Sequence, residues 1–329
     1  MSPTELVRAR ERTERLLAGL TDEQLTTQYS PLQSPLVWDL AHIGYFEDLW
    51  LLRTVGGQPP LLDADDLYDS FEHVRAERGE LPLLSPAATR EYVTEVREQV
   101  LALLPTLRFD DGDPLLRDGF VVGMVAQHEL QHVETMTQTL ELAGLARGGP
   151  PLVEESGEVL VAGGPFTLGS TDPWAYDNER PAHGVELAPF WIDRALVTNA
   201  EYAEFAEHEF ANPNAPVVHV SFDEAEAYAR WAGKRLPSEP EWEKAAKAGE
   251  LEHASGAVWQ WTSSFFDGYP GFRSFPYREY SEVFFGRDYR VLRGGSWVTD
   301  PLVARPTFRN WDFPQRKQIF AGIRCGRDA

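Results

Sequence analysis

The sequence predicts a two-domain α+β protein in which a helical bundle precedes a domain of short strands and loops. Four long segments before residue 146 carry apolar residues at the i, i+3 and i+4 spacing of amphipathic helices. After residue 157 the apolar runs become short and β-prone. The glycine- and proline-rich stretch ARGGPPLVEESG, from Ala146 to Gly157, separates the two patterns and indicates a linker. We therefore expect one domain over residues 1–149 and a second over residues 150–329.

The first domain is expected to be a four-helix bundle, because long amphipathic helices joined by short loops bury their apolar faces against one another. The four segments are VRARERTERLLAGL, VWDLAHIGYFEDLWLL, TREYVTEVREQVLALL and FVVGMVAQHELQHVETMTQTLELAGL. Thr21 is a predicted N-cap of a short helix, while Pro105 and Gly144 follow the third and fourth segments as predicted stop signals.

The second domain combines short predicted strands with two predicted helices, FDEAEAYARWAGK and EPEWEKAAK. The β-prone runs are EVLVAGGPFTLGS, HGVELAPFWIDRALVT, YRVLRGGSW and IFAGIRC. With 24 prolines and 26 glycines in the chain, much of this half is expected to be loop.

Charge and cysteine content limit the possible partners and the cellular compartment. The formal net charge of −22, with no cluster of Lys and Arg, repels phosphate backbones and anionic lipid, so we expect neither nucleic acid nor membrane as a partner. Cys325 is the single cysteine, which excludes an intramolecular disulfide framework. No apolar run reaches the length of a membrane span, and the N-terminal stretch lacks the apolar core of a signal peptide. We expect a cytoplasmic monomer.

Three histidines on the predicted bundle helices are candidate metal ligands. His128 and His132 in QHELQHVE are four residues apart and lie on one face of the fourth helix. His42 lies on another helix in the apolar context WDLAHIGYF, where an unpaired imidazole would cost desolvation free energy. A core histidine that bonds a neighbouring carbonyl is the alternative for His42. Three imidazoles suit iron(II) with open positions but also suit zinc, and Glu129 and Glu134 leave a carboxylate ligand possible.

The C-terminal segment TFRNWDFPQRKQIFAGIRC concentrates candidate substrate-binding side chains in one turn-rich stretch: Arg309, Asn310, Trp311, Asp312 and Arg316. An indole face attracts a quaternary ammonium, and an Asp–Arg pair can bind the ammonium and carboxylate ends of an amino acid. A surface salt bridge beside a packed indole is the structural alternative.

Tyrosines of the segment SFPYREYSEVFFG are candidate proton donors. A phenol near an oxidising metal can supply a proton in a rate-setting step, and Tyr277 and Tyr280 lie three residues apart in this segment. Tyr269 in DGYPGF is a second candidate, and simple packing remains the alternative for each.

These strings together resemble the ergothioneine-biosynthetic sulfoxide synthases of the actinobacterial type. The resemblance rests on WDLAHIGYFEDLWLL and HELQHVETM in the first half, and on DNERPAHGVELAPFWIDRALVTNAEYAEF, PVVHVSFDEAEAYARWAGKRLPSEPEWEKA, VWQWTSS and YRVLRGGSW in the second. It implies a DinB-like four-helix bundle followed by a C-type-lectin-like domain of the formylglycine-generating-enzyme type. It also implies a non-haem Fe(2+) enzyme that uses O2 to join the thiol of γ-glutamylcysteine to C2 of hercynine, the trimethylated betaine of histidine, and to oxidise the sulfur.

The resemblance also implies roles for individual residues. His42, His128 and His132 would bind the iron, and Tyr277 would donate the proton, with Tyr269 as its rival. Residues that would contact the two substrates are, for the betaine, Gln131, Tyr280, Asn310 and Trp311, and, for the dipeptide, Arg75, Arg78, Asp312 and Arg316.

Two departures from the family pattern bear on the substrate. The stretches between EYAEF and PVVHVS and between EWEKAA and VWQW are short here, whereas relatives usually have longer ones. Formylglycine-generating activity is not expected, because RVLRGGSWVTDPLVARPTFRN lacks the cysteine pair that it needs. Two alternatives remain: the same chemistry with free cysteine or another thiol or selenol donor, and a non-catalytic metal-containing ligand-binding protein.

Overall fold

The computed structural model describes residues 3–109 and 112–329, and the chain divides into two compact units, Met1–Arg147 and Gly148–Ala329. The division lies two residues before the boundary that the linker composition predicts. The first unit is helical and the second combines sheets with short helices, so the predicted α+β two-domain class is confirmed.

The helical unit contains the four long helices that the apolar periodicity predicts. Its α-helices are α1 (Thr4–Leu17), α2 (Asp22–Thr26), α3 (Leu36–Glu47), α4 (Asp65–Tyr68), α5 (Pro86–Leu103) and α6 (Phe120–Leu142). Helix α1 packs against α6, and α3 packs against both α5 and α6. Helix α6 is buried over most of its circumference, which places its side chains in the centre of the bundle.

Several helix ends follow from local side-chain chemistry. Thr21 caps α2, as predicted: its hydroxyl accepts from Gln24 N, and the Gln24 side chain accepts from Thr21 N in return. Ser85 caps α5, and Pro86 occupies the first helical position, where its missing N–H costs nothing. Gly144 follows α6 with φ +69°, a left-handed conformation that glycine adopts without strain.

The second predicted segment differs from a single α-helix. Helix α3 ends at Glu47, and a π-helix continues over Asp48–Val55. Apolar periodicity could not predict this change, because an i→i+5 turn alters the hydrogen bonds and not the hydrophobicity of the segment. Three 3₁₀ turns that the sequence did not predict also lie in the described part of this unit: Arg75–Glu80, Leu104–Thr106 and Arg117–Gly119.

The second unit contains three helices and nine short strands among its described residues. They are β1 (Glu158–Val161), β2 (Gly164–Leu168), β3 (His183–Leu187), β4 (Phe190–Asp193), α7 (Asn199–Phe205), α8 (Phe222–Trp231), α9 (Glu239–Lys247), β5 (Trp259–Phe265), β6 (Arg290–Arg293), β7 (Asn310–Asp312), β8 (Ala321–Gly322) and β9 (Gly326–Asp328). They form sheets of order β1-β4-β9, β2-β3 and β7-β6-β5-β8. The β5–β8 pair is parallel and the other pairs are antiparallel.

Two features of this unit correct the sequence-based prediction. Helix α7 was not predicted; it has seven residues, too few for apolar periodicity to show, although Thr198 and Glu201 form a capping box at its start. Asn310, Trp311 and Asp312 were expected in a turn-rich stretch, whereas they form β7, paired with Leu292, Val291 and Arg290 of β6. The neighbouring strand supplies the backbone partners, and that pairing is not visible in the local sequence.

Large aromatic side chains form the core of the second unit. Trp242 of α9 and Trp261 of β5 are fully buried, and Phe190 of β4 is 2% exposed. The Trp242 indole N–H donates to Gln260 Oε1 at 2.7 Å, so this buried donor is satisfied. Within the described ranges, no helix of either unit is both long enough and apolar enough to cross a membrane.

Candidate active site

Three imidazoles converge in the centre of the helical bundle. His42 lies on α3, and His128 and His132 lie one turn apart on α6; one ring nitrogen from each lies within 4.8 Å of the others. The Nε2 atoms of His42 and His128 are 3.2 Å apart. Nitrogen ligands about 2.1 Å from one ion on adjacent corners of an octahedron lie about 3 Å apart. The arrangement therefore fits a single metal ion.

Hydrogen bonds fix which nitrogen of two rings faces the centre. His42 Nδ1 is 2.7 Å from the carbonyl oxygen of Tyr68, which can only accept, so Nδ1 carries the proton and Nε2 keeps its lone pair. His132 Nδ1 likewise donates to Asp39 Oδ1 at 3.0 Å. Asp39 is 1% exposed and its Oδ2 has no hydrogen-bond partner. Such outer hydrogen bonds orient metal-ligating histidines and set their tautomers.

Burial favours the neutral form of His42 and His128, the form that binds a metal. Desolvation, with the nearby His132, lowers the pKa of both His42 and His128 well below the usual histidine value. Aromatic rings contribute to the desolvation: Phe46 stacks on His128 with centroids 3.7 Å apart, and Trp38 stacks on His42 at 4.8 Å. His42 therefore does bond a core carbonyl, as the structural alternative proposed, but it does so through Nδ1. Its Nε2 stays available as a metal ligand.

A cluster of four buried charges lies in the same bundle, and each long helix contributes one member. Arg10 of α1 and Arg97 of α5 each donate to both Glu47 of α3 and Glu129 of α6, over N–O distances of 2.6 to 3.1 Å. All four residues are at most 7% exposed. Burial alone would raise the pKa of Glu129, but Arg10 and Arg97 lower it below its usual value.

This cluster argues against Glu129 as a metal ligand, an alternative that the sequence left open. Glu129 was a possible carboxylate ligand, but both of its oxygens accept hydrogen bonds from the arginines, and Thr13 Oγ1 donates to Oε1 at 2.9 Å. Sequence reasoning missed the cluster, although two arginines and two glutamates within apolar helix faces were a signal for buried ion pairs.

The remaining candidates of the helical unit differ in exposure. Gln131 is half-buried on α6, next to His132. Arg75 is exposed, and its Nη1 donates to Leu32 O at 3.3 Å. Arg78 is 5% exposed, lies 3.6 Å above the Trp38 ring, and makes four hydrogen bonds. Their acceptors are the His73 carbonyl, twice, the Ser70 carbonyl and Ser34 Oγ. Those bonds use its Nε–H and both Nη2–H groups, so no pair of adjacent N–H groups remains for a carboxylate.

In the second unit, Trp311 lies in an aromatic cluster. Phe266 stacks on it with parallel rings and centroids 4.0 Å apart, while Tyr280 meets it edge-on at 5.8 Å and Phe284 at 5.4 Å. One face of the half-buried indole is therefore covered by Phe266. A cation could use only the opposite face.

The two candidate proton donors have different surroundings. Tyr269 is 7% exposed; its hydroxyl donates to Glu239 Oε1 at 3.2 Å, and the Arg309 guanidinium lies 4.2 Å above its ring. Glu239 in turn pairs with Arg293 and Arg309, so Tyr269 belongs to a buried ionic network. Tyr277 is half-buried and adjoins Tyr280 at 6.2 Å between ring centroids. These surroundings favour Tyr277 over Tyr269 as a residue that could meet a substrate.

The polar residues on and after β7 form local contacts. Asn310 Oδ1 accepts from Trp311 N at 2.9 Å. Asp312 Oδ1 lies 3.5 Å from Arg316 Nε, and both residues are half-buried. This pair presents one anion and one cation side by side, the combination expected of a site for an amino-acid head group.

Comparison with known proteins matches each unit to a family. Residues 5–136 match the DinB superfamily, and residues 150–254 and 250–329 match the sulfatase-modifying factor enzyme 1-like domain. The chain is 41% identical to the hercynine oxygenase of Mycolicibacterium smegmatis, with 98% of each chain covered. It is 42% identical to that of Mycobacterium tuberculosis, over 98% of this chain and 97% of the relative. The chain belongs to the hercynine oxygenase family. It is therefore an oxygenase, and the resemblance stated from its motifs is confirmed.

The family alignment also bears on the loops of the second unit. The alignment with the M. smegmatis protein spans 429 positions, whereas this chain has 329 residues, so at least 100 positions fall opposite gaps in this chain. This agrees with the shorter stretches expected after EYAEF and after EWEKAA. The formylglycine-generating enzyme of Streptomyces coelicolor is 34% identical over only 32% of this chain and 52% of its own length.

Proposed function

We propose that this oxygenase forms a carbon–sulfur bond between hercynine and γ-glutamylcysteine with an iron(II) ion held by His42, His128 and His132. The observation that carries the proposal is the convergence of three imidazoles in a chain that matches hercynine oxygenases over nearly its full length. In the reaction, the C2–H bond of the imidazole and the S–H bond of the thiol break, and C–S and S–O bonds form. Dioxygen accepts four electrons; one oxygen atom enters the sulfoxide and the other leaves as water.

Iron(II) suits the donor set of this site. Three neutral nitrogen ligands leave the ion its full charge and open positions, which favours an anionic thiolate and a second substrate. When bound, the iron would supply the redox chemistry that lets dioxygen oxidise both organic substrates. The chain's contribution is orientation: placing reacting groups together is worth up to about 7–11 kcal/mol in well-aligned systems.

Hercynine has a trimethylammonium, a carboxylate and an imidazole to recognise. We assign the trimethylammonium to the face of Trp311 opposite Phe266, where cation–π attraction favours a poorly hydrated cation. Tyr280, which meets the indole edge-on, and Asn310, next to it on β7, are assigned to the same substrate. Gln131, half-buried next to His132, is assigned to the betaine from the helical unit.

Tyr277 is assigned as the residue that donates a proton during the reaction. The assignment is supported by its half-buried position beside Tyr280, which contrasts with the bond of Tyr269 to Glu239. A phenol is a weak acid that can give a proton to a developing anion and take it back from solvent.

Two thiol donors are considered, γ-glutamylcysteine and free cysteine. The Asp312–Arg316 pair fits the ammonium and carboxylate of a γ-glutamyl group, and the exposed Arg75 offers a guanidinium for a further carboxylate. Arg78 was expected to share that carboxylate, but its bonds within the helical unit leave no paired N–H groups. This observation favours free cysteine as the second candidate donor.

Mass spectrometry of product tests the proposal and the donor together. Iron-loaded protein is incubated in air with hercynine and either γ-glutamylcysteine or cysteine, and oxygen uptake is followed. We expect an iron-dependent sulfoxide that forms faster with the dipeptide. Preference for cysteine would select the second candidate, and absence of oxygen uptake and product with both thiols would favour a non-catalytic ligand-binding protein.

Metal analysis of one variant tests the ligand assignment separately. His128→Ala should remove most bound iron, because two imidazoles on different helices form a poor chelate. His73→Ala, which changes a histidine of the same unit outside the cluster, is the control and should retain its iron. Iron content near wild type in His128→Ala would contradict the assignment.

A further inference from the structure

The segment that contains Tyr277 and Tyr280 has little regular structure to fix it. It follows the loop after β5 and forms only two short 3₁₀ turns, Arg278–Tyr280 and Glu282–Phe284. Ordering a loop residue costs backbone entropy, so a defined position requires contacts from outside the segment.

Contacts of this kind come from residues 176–180, a largely buried turn here called the anchor turn. Asp177 Oδ1 accepts from the Ser281 hydroxyl at 2.5 Å, and its Oδ2 accepts from Phe275 N at 3.1 Å. Asn178 Nδ2 donates to Ser281 Oγ at 3.0 Å. Asp177 is 4% exposed and Ser281 is fully buried. Hydrogen bonds thus hold residues 275 and 281, which lie on either side of Tyr277 and Tyr280.

The middle of the segment is held by an aromatic contact from the same turn. Tyr176 stacks on Tyr280 with ring centroids 4.1 Å apart and an angle of 17° between the planes. Tyr280 in turn meets both Tyr277 and Trp311 edge-on. The orientation of the two candidate functional tyrosines therefore depends on Tyr176 as well as on the hydrogen bonds.

The anchor turn also reaches the strand that contains Asn310 and Trp311. The Asn178 carbonyl accepts from Arg309 Nη1 at 2.8 Å, directly before β7. Glu179 Oε2 accepts from Arg305 Nε at 2.9 Å and from Thr307 Oγ1 at 2.6 Å. One turn of five residues thus bonds to both segments that contain the candidate substrate contacts of this unit.

We propose that Asp177 and Ser281 are positioning residues that set the tyrosine segment for the reaction, acting through Tyr277. They are not catalytic residues, because both are buried and bond to the segment itself. The inference rests on the proposed role of Tyr277, and a local structural readout separates its failure from a failure of that role.

The local readout is tryptic cleavage at two exposed arginines: Arg273, directly before the segment, and Arg278, within it. Cleavage requires the segment to open, so its rate reports the local opening equilibrium. Ser281→Ala removes the hydroxyl that Asp177 and Asn178 bind, and Asp177→Asn keeps an oxygen for Ser281 but places an amide N–H2 against Phe275 N. We expect about tenfold faster cleavage at both sites, as the loss of a charge-assisted hydrogen bond predicts. The matched control, Ser263→Ala, changes an exposed serine of β5 and should leave the rates unchanged.

Turnover in a double-mutant cycle tests the functional half. Ser281→Ala should lower kcat about tenfold with bound iron unchanged, and should have no further effect in a Tyr277→Phe background, because residues that act as a unit are non-additive. Unchanged cleavage rates at Arg273 and Arg278 would overturn the proposal. Equal acceleration of cleavage at Arg230, an exposed arginine of α8, would also overturn it, because it would indicate opening of the whole unit. An additive loss of kcat would also overturn it. If Tyr277→Phe alone has wild-type turnover, the catalytic role of Tyr277 fails, and the cleavage rates decide whether the anchor turn holds the segment.

Discussion

The two units hold their candidate functional side chains by different means. In the helical unit the histidines lie on regular helices, and His128 and His132 face the same way because they are one turn apart on α6. In the second unit the tyrosines lie on an irregular segment that side-chain bonds from the anchor turn hold in place. The metal site therefore depends on packing distributed over a whole bundle, whereas the tyrosine site depends on a few hydrogen bonds.

The largest expected effect comes from the buried charge cluster that joins all four long helices. Arg97→Met should destabilise the helical unit by about 3–5 kcal/mol, because it leaves Glu47 and Glu129 with one arginine between them. Denaturant unfolding followed by circular dichroism measures the change. Arg90→Met, an exposed position on the same helix α5, should change stability by no more than about 0.5 kcal/mol. Equal stability of the two variants would mean that helix packing alone holds the histidines.

The second prediction concerns the hydrogen bond between Asp39 and His132. Asp39→Asn should weaken metal binding about 10- to 100-fold, since the amide no longer fixes the ring tautomer as a carboxylate does. Titration with Co(2+), followed by its visible absorption, measures affinity without turnover. The control is Asp66→Asn, an exposed residue of α4, which should bind cobalt as wild type does. An unchanged affinity in Asp39→Asn would show that helix geometry is sufficient to orient His132.

We next expect the stability of the helical unit to depend on pH through the buried carboxyl of Asp48, in the π-helix. Burial raises the pKa of this carboxyl from 3.8 to about 6; Leu61 N–H and Arg53 oppose the shift, while Asp65 and Glu47 add to it. A raised folded pKa means that wild-type stability falls as pH rises from about 4 through 6. Asp48→Asn removes that loss, so its advantage should be absent at pH 4 and reach on the order of 2 kcal/mol above pH 6. Unfolding free energies at three pH values test this, and an advantage that does not vary with pH would contradict it.

The smallest expected effect is at the indole of the second unit. Trp311→Leu should weaken the binding of hercynine by about 0.5–2 kcal/mol more than the binding of histidine, because only hercynine has the poorly hydrated quaternary cation. Calorimetric titration with both ligands measures the difference, and Trp231→Leu, an exposed tryptophan of α8, is the control. If both affinities fall by the same factor, Trp311 serves only as a wall next to Phe266.

The contrast between the units also explains how far the sequence alone could predict the site. His42, His128 and His132 could be predicted as a group, because a helix has a fixed period and apolar surroundings identify the inner face. The Asp39–His132 bond could not be predicted, since it depends on the rotation of each helix about its axis. For Arg10, Glu47, Arg97 and Glu129, the apolar helix faces signalled buried ion pairs but not which residues pair.

In the second unit the motifs predicted the family but not the local structure. Asn310, Trp311 and Asp312 were expected in a turn and form a strand, because their backbone partners on β6 are about twenty residues away in sequence. Residues 177–180 of the anchor turn lie in one of the strings that carry the resemblance. Their bonds to residues 275, 281 and 305–309 nevertheless depend on folding over about a hundred residues. Spacing rules do not apply across such irregular connections.

The central claim is that this chain couples a thiol to hercynine with dioxygen as the oxidant, and isotope labelling tests it most directly. Iron-loaded protein is incubated with hercynine and γ-glutamylcysteine under ¹⁸O2, and the product is analysed by mass spectrometry. We expect a sulfoxide with one labelled oxygen atom per molecule, and one dioxygen consumed for each product formed. An unlabelled sulfoxide, or oxygen consumption that yields only oxidised thiol and unchanged hercynine, would contradict this function.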